Sequence, residues 1–121
     1  MKDTFHQREK AYEAKFKLDE ERRFKAETRR NRMLGEWAAR KLGMTRAESE
    51  ALCKAVVIAD LEEPGVEDCI RKVMHEFARR EVPIMETEIR EELVRLLGVA
   101  IAEVDSEYPD PLGPDHERVG D

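Results

Sequence analysis

The sequence contains no apolar run near the ~20 residues that a membrane-crossing helix needs, and its N-terminus is charged from Lys2 onward. A signal peptide would carry an apolar core there, so a cytoplasmic location is expected. Aromatic residues are scarce, at 6% of the chain against 41% charged. A chain of this length with so few large apolar groups builds a thin core of modest stability. The six glycines are isolated, which excludes a glycine-rich phosphate loop. The three histidines, His6, His75 and His116, fall in three separate regions. No serine or cysteine has a histidine at nucleophile–base spacing, so no enzyme activity is expected, and neither a metal nor a required cofactor is implied. Cys53 and Cys69 match no zinc or redox spacing and read as reduced core thiols. Strand alternation is absent throughout, which leaves an all-α chain.

What is present is helical periodicity. A first helix is expected from about Phe5 to Leu42, with Leu34, Trp37, Ala38 and Leu42 on one face and Gly43 as its left-handed stop. Thr45 and Glu48 have the spacing of a capping box that opens a second helix at about 46–62. Its apolar positions are Ala51, Leu52, Ala55, Val56, Ala59 and Leu61. The Glu62-Glu63-Pro64-Gly65 turn leads to a third helix at about 66–81, with Cys69, Ile70, Val73, Met74 and Phe77. His75 beside them reads as partly buried. Pro83 breaks that helix. The fourth, at about 86–104, carries Ile89, Leu93, Leu96, Leu97, Ala100, Ile101 and Val104. Short connections fold neighbouring helices back on one another. The expected architecture is a four-helix bundle over 33–104, an arm over 1–32 that is helical but frayed when free, and a disordered acidic tail over 105–121. A monomer is expected.

Charge divides along the same line. Residues 1–32 hold 11 basic and 7 acidic residues, a balance of +4, while 33–121 hold 11 and 21, a balance of −10. A basic arm on an acidic body suggests separate tasks. Within the arm, Phe5, Tyr12 and Phe16 fall within an arc of about 40° at helical spacing. That stripe is too sparse for a core of its own. It either folds back on the bundle or lies in a partner's groove, where aromatic and arginine anchors carry the energy. Phe5, Arg8, Lys10, Tyr12, Lys15 and Phe16 are the partner-binding candidates. Nucleic acid is the alternative partner, through the arm's arginines, but the interleaved acids oppose phosphate neutralisation. A coiled-coil scaffold would need a sustained heptad repeat, which residues 5–32 lack.

Arg29, Arg30 and Arg32, with Trp37 nearby, form a candidate anion site. Arg30 shares the stripe of Leu34 and Trp37, so its stem equally suits burial along the apolar face or pairing with an acid.

The run Phe5 … Arg8-Glu9-Lys10-Ala11-Tyr12-Glu13-Ala14-Lys15-Phe16, then Asp19-Glu20-Glu21, Arg23-Phe24-Lys25-Ala26, Arg29-Arg30-Asn31, Leu34-Gly35 and Trp37-Ala38-Ala39, resembles the zeta-subunit ATPase inhibitors of bacterial F-type ATP synthases. Leu42-Gly43, Ala47-Glu48, Asp60, Glu62-Glu63-Pro64-Gly65 and Arg71-Lys72-Val73 continue the likeness in register over about 1–104. The resemblance implies a four-helix bundle that binds the catalytic head of the synthase (its alpha, beta and gamma subunits), peripheral to the inner membrane. It implies an N-terminal segment that enters the catalytic interface and blocks hydrolysis. It also implies ADP or ATP as a regulatory ligand, with Arg29, Arg30, Arg32 and Trp37 as the candidate nucleotide contacts. His6-Gln7, Lys17-Leu18, Arg22, Glu36 and Met85 depart from the family pattern, Met85 by replacing a serine cap.

Overall fold

The computed structural model describes the backbone from Lys2 to Tyr108 and the side chains from Asp19 to Tyr108. Four helices follow in order: α1 (Lys2–Leu42), α2 (Arg46–Glu62), α3 (Val66–Arg79) and α4 (Glu86–Glu107). No strand occurs among the described residues. The chain is all-α, a four-helix bundle as its periodicity predicts.

Each boundary has a local cause. Gly43 ends α1 at φ 64, and Met44 N–H reaches back to the Ala39 carbonyl at 3.0 Å, the bond of a glycine-terminated helix. Thr45 opens α2 with a complete capping box. Its hydroxyl accepts from Glu48 N–H at 3.2 Å, and the Glu48 carboxylate accepts from Thr45 N–H at 2.9 Å. Helix α3 stops earlier than its periodicity suggests, because Glu81 takes a left-handed φ of 59 and Val82 N–H bonds the Phe77 carbonyl at 2.9 Å. Met85 begins α4 without a side-chain cap. That helix continues to Glu107, past the expected 104.

The main core joins Leu34 and Ala38 of α1, Leu52 and Val56 of α2, Cys69, Ile70, Val73 and Phe77 of α3, and Ile89, Leu93 and Leu96 of α4. A smaller cluster joins Ala26 of α1 to Ala100 and Val104 of α4. The packed part of α1 therefore starts at Ala26, inside the segment that charge alone assigned to the arm. Small side chains at Ala26 and Ala100 let the two helices approach, and no run of large apolar residues marks the place. Four positions expected to be at least partly buried are exposed instead. Leu61 is 56% and Ile101 44% exposed, and Ala51 and His75 are exposed as well. Each sits on the shoulder of its helix, one step beyond the arc that a neighbouring helix covers.

A buried polar bridge crosses the core. Asn31 is 1% exposed. Its Oδ1 accepts from Arg30 Nε and Nη2 at 3.1 and 3.0 Å, and its Nδ2 donates to Asp60 Oδ2 at 2.9 Å. Asp60 Oδ1 then accepts Gly65 N–H at 3.2 Å. The bridge ties α1 to the end of α2 and the start of α3. One turn along α1, a Cβ on Gly35 would stand 2.7 Å from Cys53 Cα. Only glycine permits α1 and α2 to lie this close.

Two consequences can be measured. Gly35→Ala should lower the melting temperature, since overpacking against backbone costs roughly 1–3 kcal/mol and exceeds the gain in helix propensity. Gly98→Ala in α4, where a Cβ meets nothing within 4 Å, should instead stabilise by up to about 1 kcal/mol. Thermal unfolding of the two variants checks the opposite signs.

The capping box makes a pH prediction. The Thr45 backbone N–H, the Arg80 guanidinium at 2.7 Å and the Thr45 hydroxyl hold the Glu48 carboxyl down from its ordinary 4.5 to about 2. A depressed carboxyl binds its proton first in the unfolded chain. Its stabilisation is therefore present above pH 4.5 and is lost as pH falls towards 2. Melting curves across that window should show the gap between wild type and Glu48→Gln closing as the pH drops. A gap that stays constant would refute the assignment.

Candidate functional site

Phe5, Arg8, Lys10, Tyr12, Lys15 and Phe16 all lie on the continuous helical backbone of α1. Their side chains fall outside the described residues. At about 1.5 Å per residue, α1 is a rod of roughly 60 Å.

Where the rod meets the bundle, α1 and the end of α4 form a clasp. Arg29 donates to both Glu107 carboxylate oxygens at 2.7 and 2.9 Å and to Glu103 at 3.3 Å. Arg22 stands 3.8 Å from Asp105. Tyr108 receives two cations over its ring, Arg22 at 4.7 Å and Lys25 at 4.9 Å from the centroid, a favourable placement for a ring quadrupole. Glu107 is held below the usual carboxylate range by the Arg29 hydrogen bond. The Arg29–Glu107 pair therefore stays charged through neutral pH.

The three arginines of the candidate anion site do not converge. Arg29 turns to α4. Arg32 turns to α2, where Glu50 accepts at 2.7 and 2.8 Å. Arg30 is buried and spends its guanidinium on Asn31. Arg30 thus lies with its stem along the core, as its place on the Leu34–Trp37 stripe allows. Trp37 packs against Phe77 of α3 with ring centroids 6.5 Å apart, and Lys41 lies 5.2 Å over its ring.

Arg29 and Arg32 do line one groove between α1, α2 and α4, of about 550 Å³. Lys25, Lys54, Thr28 and Glu107 share its walls, and Phe24, Val57 and Ile58 supply apolar surface. Phe24 is 55% exposed. Lys25, Arg29, Arg32 and Lys54 bring four cations to this groove, two of them held by carboxylates, Arg29 by Glu103 and Glu107 and Arg32 by Glu50. Arg30 and Trp37 are not part of it. Lys54 and Ile58 were legible in principle as an i, i+4 pair on α2, but periodicity assigned that helix a single apolar face. Asn31 gave a weaker sign, as an amide one residue from the buried stripe.

Neither cysteine is a reactive thiol. Both are free and buried, and burial pushes Cys69 up to about 11, which keeps it protonated. Among the described residues, no group of three or more His, Cys, Asp or Glu is placed to hold a metal, and no helix is long and apolar enough to cross a membrane.

The family model described as ATPase inhibitor subunit zeta matches residues 1–103. The chain belongs to that family. The match runs through the arm, the Asn31–Asp60 bridge and nearly all of α4, so the membership covers the rod and the bundle together. A chain known from a solution NMR structure is 40% identical, with 70% of this chain and 96% of that one covered and a TM-score of 0.60. No curated protein matches. Membership in an inhibitor family makes this chain a regulator of an ATPase.

Proposed function

We propose that this zeta-family chain inhibits ATP hydrolysis by an F-type ATP synthase, and that residues 2–18 of α1 enter the catalytic head among the alpha, beta and gamma subunits. The observation that carries the reading is the single unbroken helix from Lys2 to Leu42, whose second half packs on the bundle through Ala26, Leu34 and Ala38. A rod held at one end is suited to wedging into a cleft that closes during hydrolysis. The clasp of Arg22, Lys25 and Arg29 with Glu103, Asp105, Glu107 and Tyr108 braces the rod where it leaves the bundle. Each residue that docking must order costs about 1–2 kcal/mol of backbone entropy, which buried anchors have to offset. The chain acts in the cytoplasm, peripheral to the membrane through the synthase, and has no catalytic role of its own. The nucleic-acid alternative is disfavoured by the seven acids interleaved with the arm's eleven cations.

Docking energy comes from anchors that lose their water. Phe5, Tyr12 and Phe16 share one stripe of the rod, while Arg8, Lys10 and Lys15 steer it toward acidic walls. Replacing all three aromatics by alanine should weaken inhibition many-fold and leave the bundle folded. The check is ATP hydrolysis by inhibitor-depleted synthase to which wild type or variant is returned. Full inhibition by the triple variant would move the inhibitory surface to the bundle.

The basic groove favours ADP or ATP as a regulatory ligand bound without turnover. Lys25, Arg29, Arg32 and Lys54 suit polyphosphate, and Phe24 offers a stacking face. Of the residues expected from sequence, Arg29 and Arg32 fit this place, whereas Arg30 is already satisfied by Asn31. Titration of ADP against amide NMR shifts should move residues around Phe24, Arg29, Lys54 and Ile58. Lys54→Glu should reduce the affinity several-fold. Saturable shifts centred on Trp37 instead would relocate the site, and release of phosphate would refute binding without turnover.

A further inference from the structure

Beyond α4 the sequence runs on as Pro109-Asp110-Pro111-Leu112-Gly113-Pro114-Asp115-His116-Glu117-Arg118-Val119-Gly120-Asp121. This tail holds four acids against one arginine, and the family model's match stops ahead of it, at residue 103. The described residues fix where it departs. Glu107, the last residue of α4, stands in the wall of the groove lined by Phe24, Lys25, Arg29, Lys54 and Ile58. Tyr108 is already extended, at φ −97 and ψ 150, as the residue before a proline prefers. Its ring lies against Lys25, so the chain leaves α4 at the edge of this groove. Helix α1 forms the floor of the groove and α2 its far wall. Lys25 and Lys54 form no salt bridge with a described residue, and Glu107 and Glu50 act on them only at longer range. Beside them Phe24 is 55% and Ile58 49% exposed.

We propose that the tail folds back across α1 and occupies this groove, with Asp110 on Lys25, Leu112 on Phe24 and Ile58, and Asp115 on Lys54. Order and reach agree. An extended chain advances about 3.3–3.6 Å per residue, so Leu112, four residues past Tyr108, reaches about 13 Å from it. Helix α1, which the tail must cross, is about 10 Å wide with its side chains. Asp115, three residues further on, reaches the α2 wall. Acid, aliphatic and acid thus arrive in the order in which the groove presents cation, apolar surface and cation. Pro109, Pro111 and Pro114 bar a continued helix and fix φ at three positions, so less freedom is lost on docking than a glycine-rich tail would lose. The tether supplies an effective concentration on the order of millimolar, so a few weak contacts suffice to keep the groove covered. Arg29 and Arg32 stay with their own carboxylates, and the tail takes only the two lysines that lack one. The cleft between α1 and α4 lined by Asp19, Arg22, Arg23, Glu27 and Asp105 is nearly balanced in charge and gives an acidic segment no such preference. Any outside ligand of the groove, the nucleotide proposed above included, has to displace the tail, but the contact itself needs no nucleotide.

The test uses the full chain without nucleotide. A nitroxide is attached through Gly113→Cys, since Cys53 and Cys69 are buried. It should broaden the amide NMR signals of Val57 and Ile58 on α2. Leu112→Ser and Lys54→Glu should each relieve that broadening several-fold, while the amides of Leu34 and Phe77 in the core keep their shifts. Adding Asp115→Lys to the Lys54→Glu chain should restore it, because the pair is then reversed in sign. Broadening that is equal in all these chains reports a tail that only passes nearby and overturns the proposal. Unbroadened signals at Val57 and Ile58 overturn it as well. No ADP is present, so either result leaves the nucleotide reading to its own titration.

Discussion

The buried amide of Asn31 is the contact on which the arrangement of helices depends. It sits at the crossing of α1 with the α2–α3 turn, where its Nδ2 donates to Asp60 at 2.9 Å and its Oδ1 accepts from Arg30. Asp60 passes the constraint to Gly65 at the start of α3. An apolar core tolerates sliding of one helix along another, because its contacts are non-directional. A buried amide does not, since a slip of one residue leaves polar groups without partners inside the protein, at about 1–3 kcal/mol each. Gly35, one turn away, allows the backbones to approach closely enough for the bridge to form. Together they set where α2 and α3 lie along α1.

Helix α4 is positioned by different means. Its inner end enters the main core through Ile89, Leu93 and Leu96. Its outer end meets α1 through Ala100, Val104 and Ala26, reinforced by the Arg29–Glu107 pair. Exposed ion pairs taken singly contribute little. Here the bidentate arginine, the second carboxylate and the doubly flanked Tyr108 ring act on one short stretch of two helices. This stretch lies along the second half of α1, so a largely polar contact orients α1 against the end of α4. Salt should loosen this interface before it affects the core.

The helices, the capping box at Thr45 and Glu48, the glycine stop at Gly43 and the principal core were legible in the residues, because periodicity of 3.6 and local capping chemistry do not depend on distant partners. The packed part of α1 was less legible. Ala26, Arg30 and Asn31 belong to it, yet small or polar residues carry no hydrophobic signature. The anion site failed as a cluster for a related reason. Arg29, Arg30 and Arg32 are adjacent in sequence, but at about 100° per residue they leave α1 in three directions. Each finds a different neighbour: Glu107, Asn31 and Glu50.

The amino-acid sequence by itself determined the class of the molecule: all helix, a basic rod ahead of an acidic body, no catalytic constellation, and a family of ATPase inhibitors. The first three follow from local propensity, charge and order along the chain, and the family from the likeness of its motifs over residues 1–103. Only the tertiary structure decided which of two apolar faces on α2 and α4 became core, which arginines line one groove, and which carboxylates hold them. Residues far apart in the chain, such as Arg29 and Glu107 or Asn31 and Asp60, meet only after the helices cross. The crossing is set by the shapes of both partners at once, through Gly35 against Cys53 and Ala26 against Ala100, and no single segment carries that information alone.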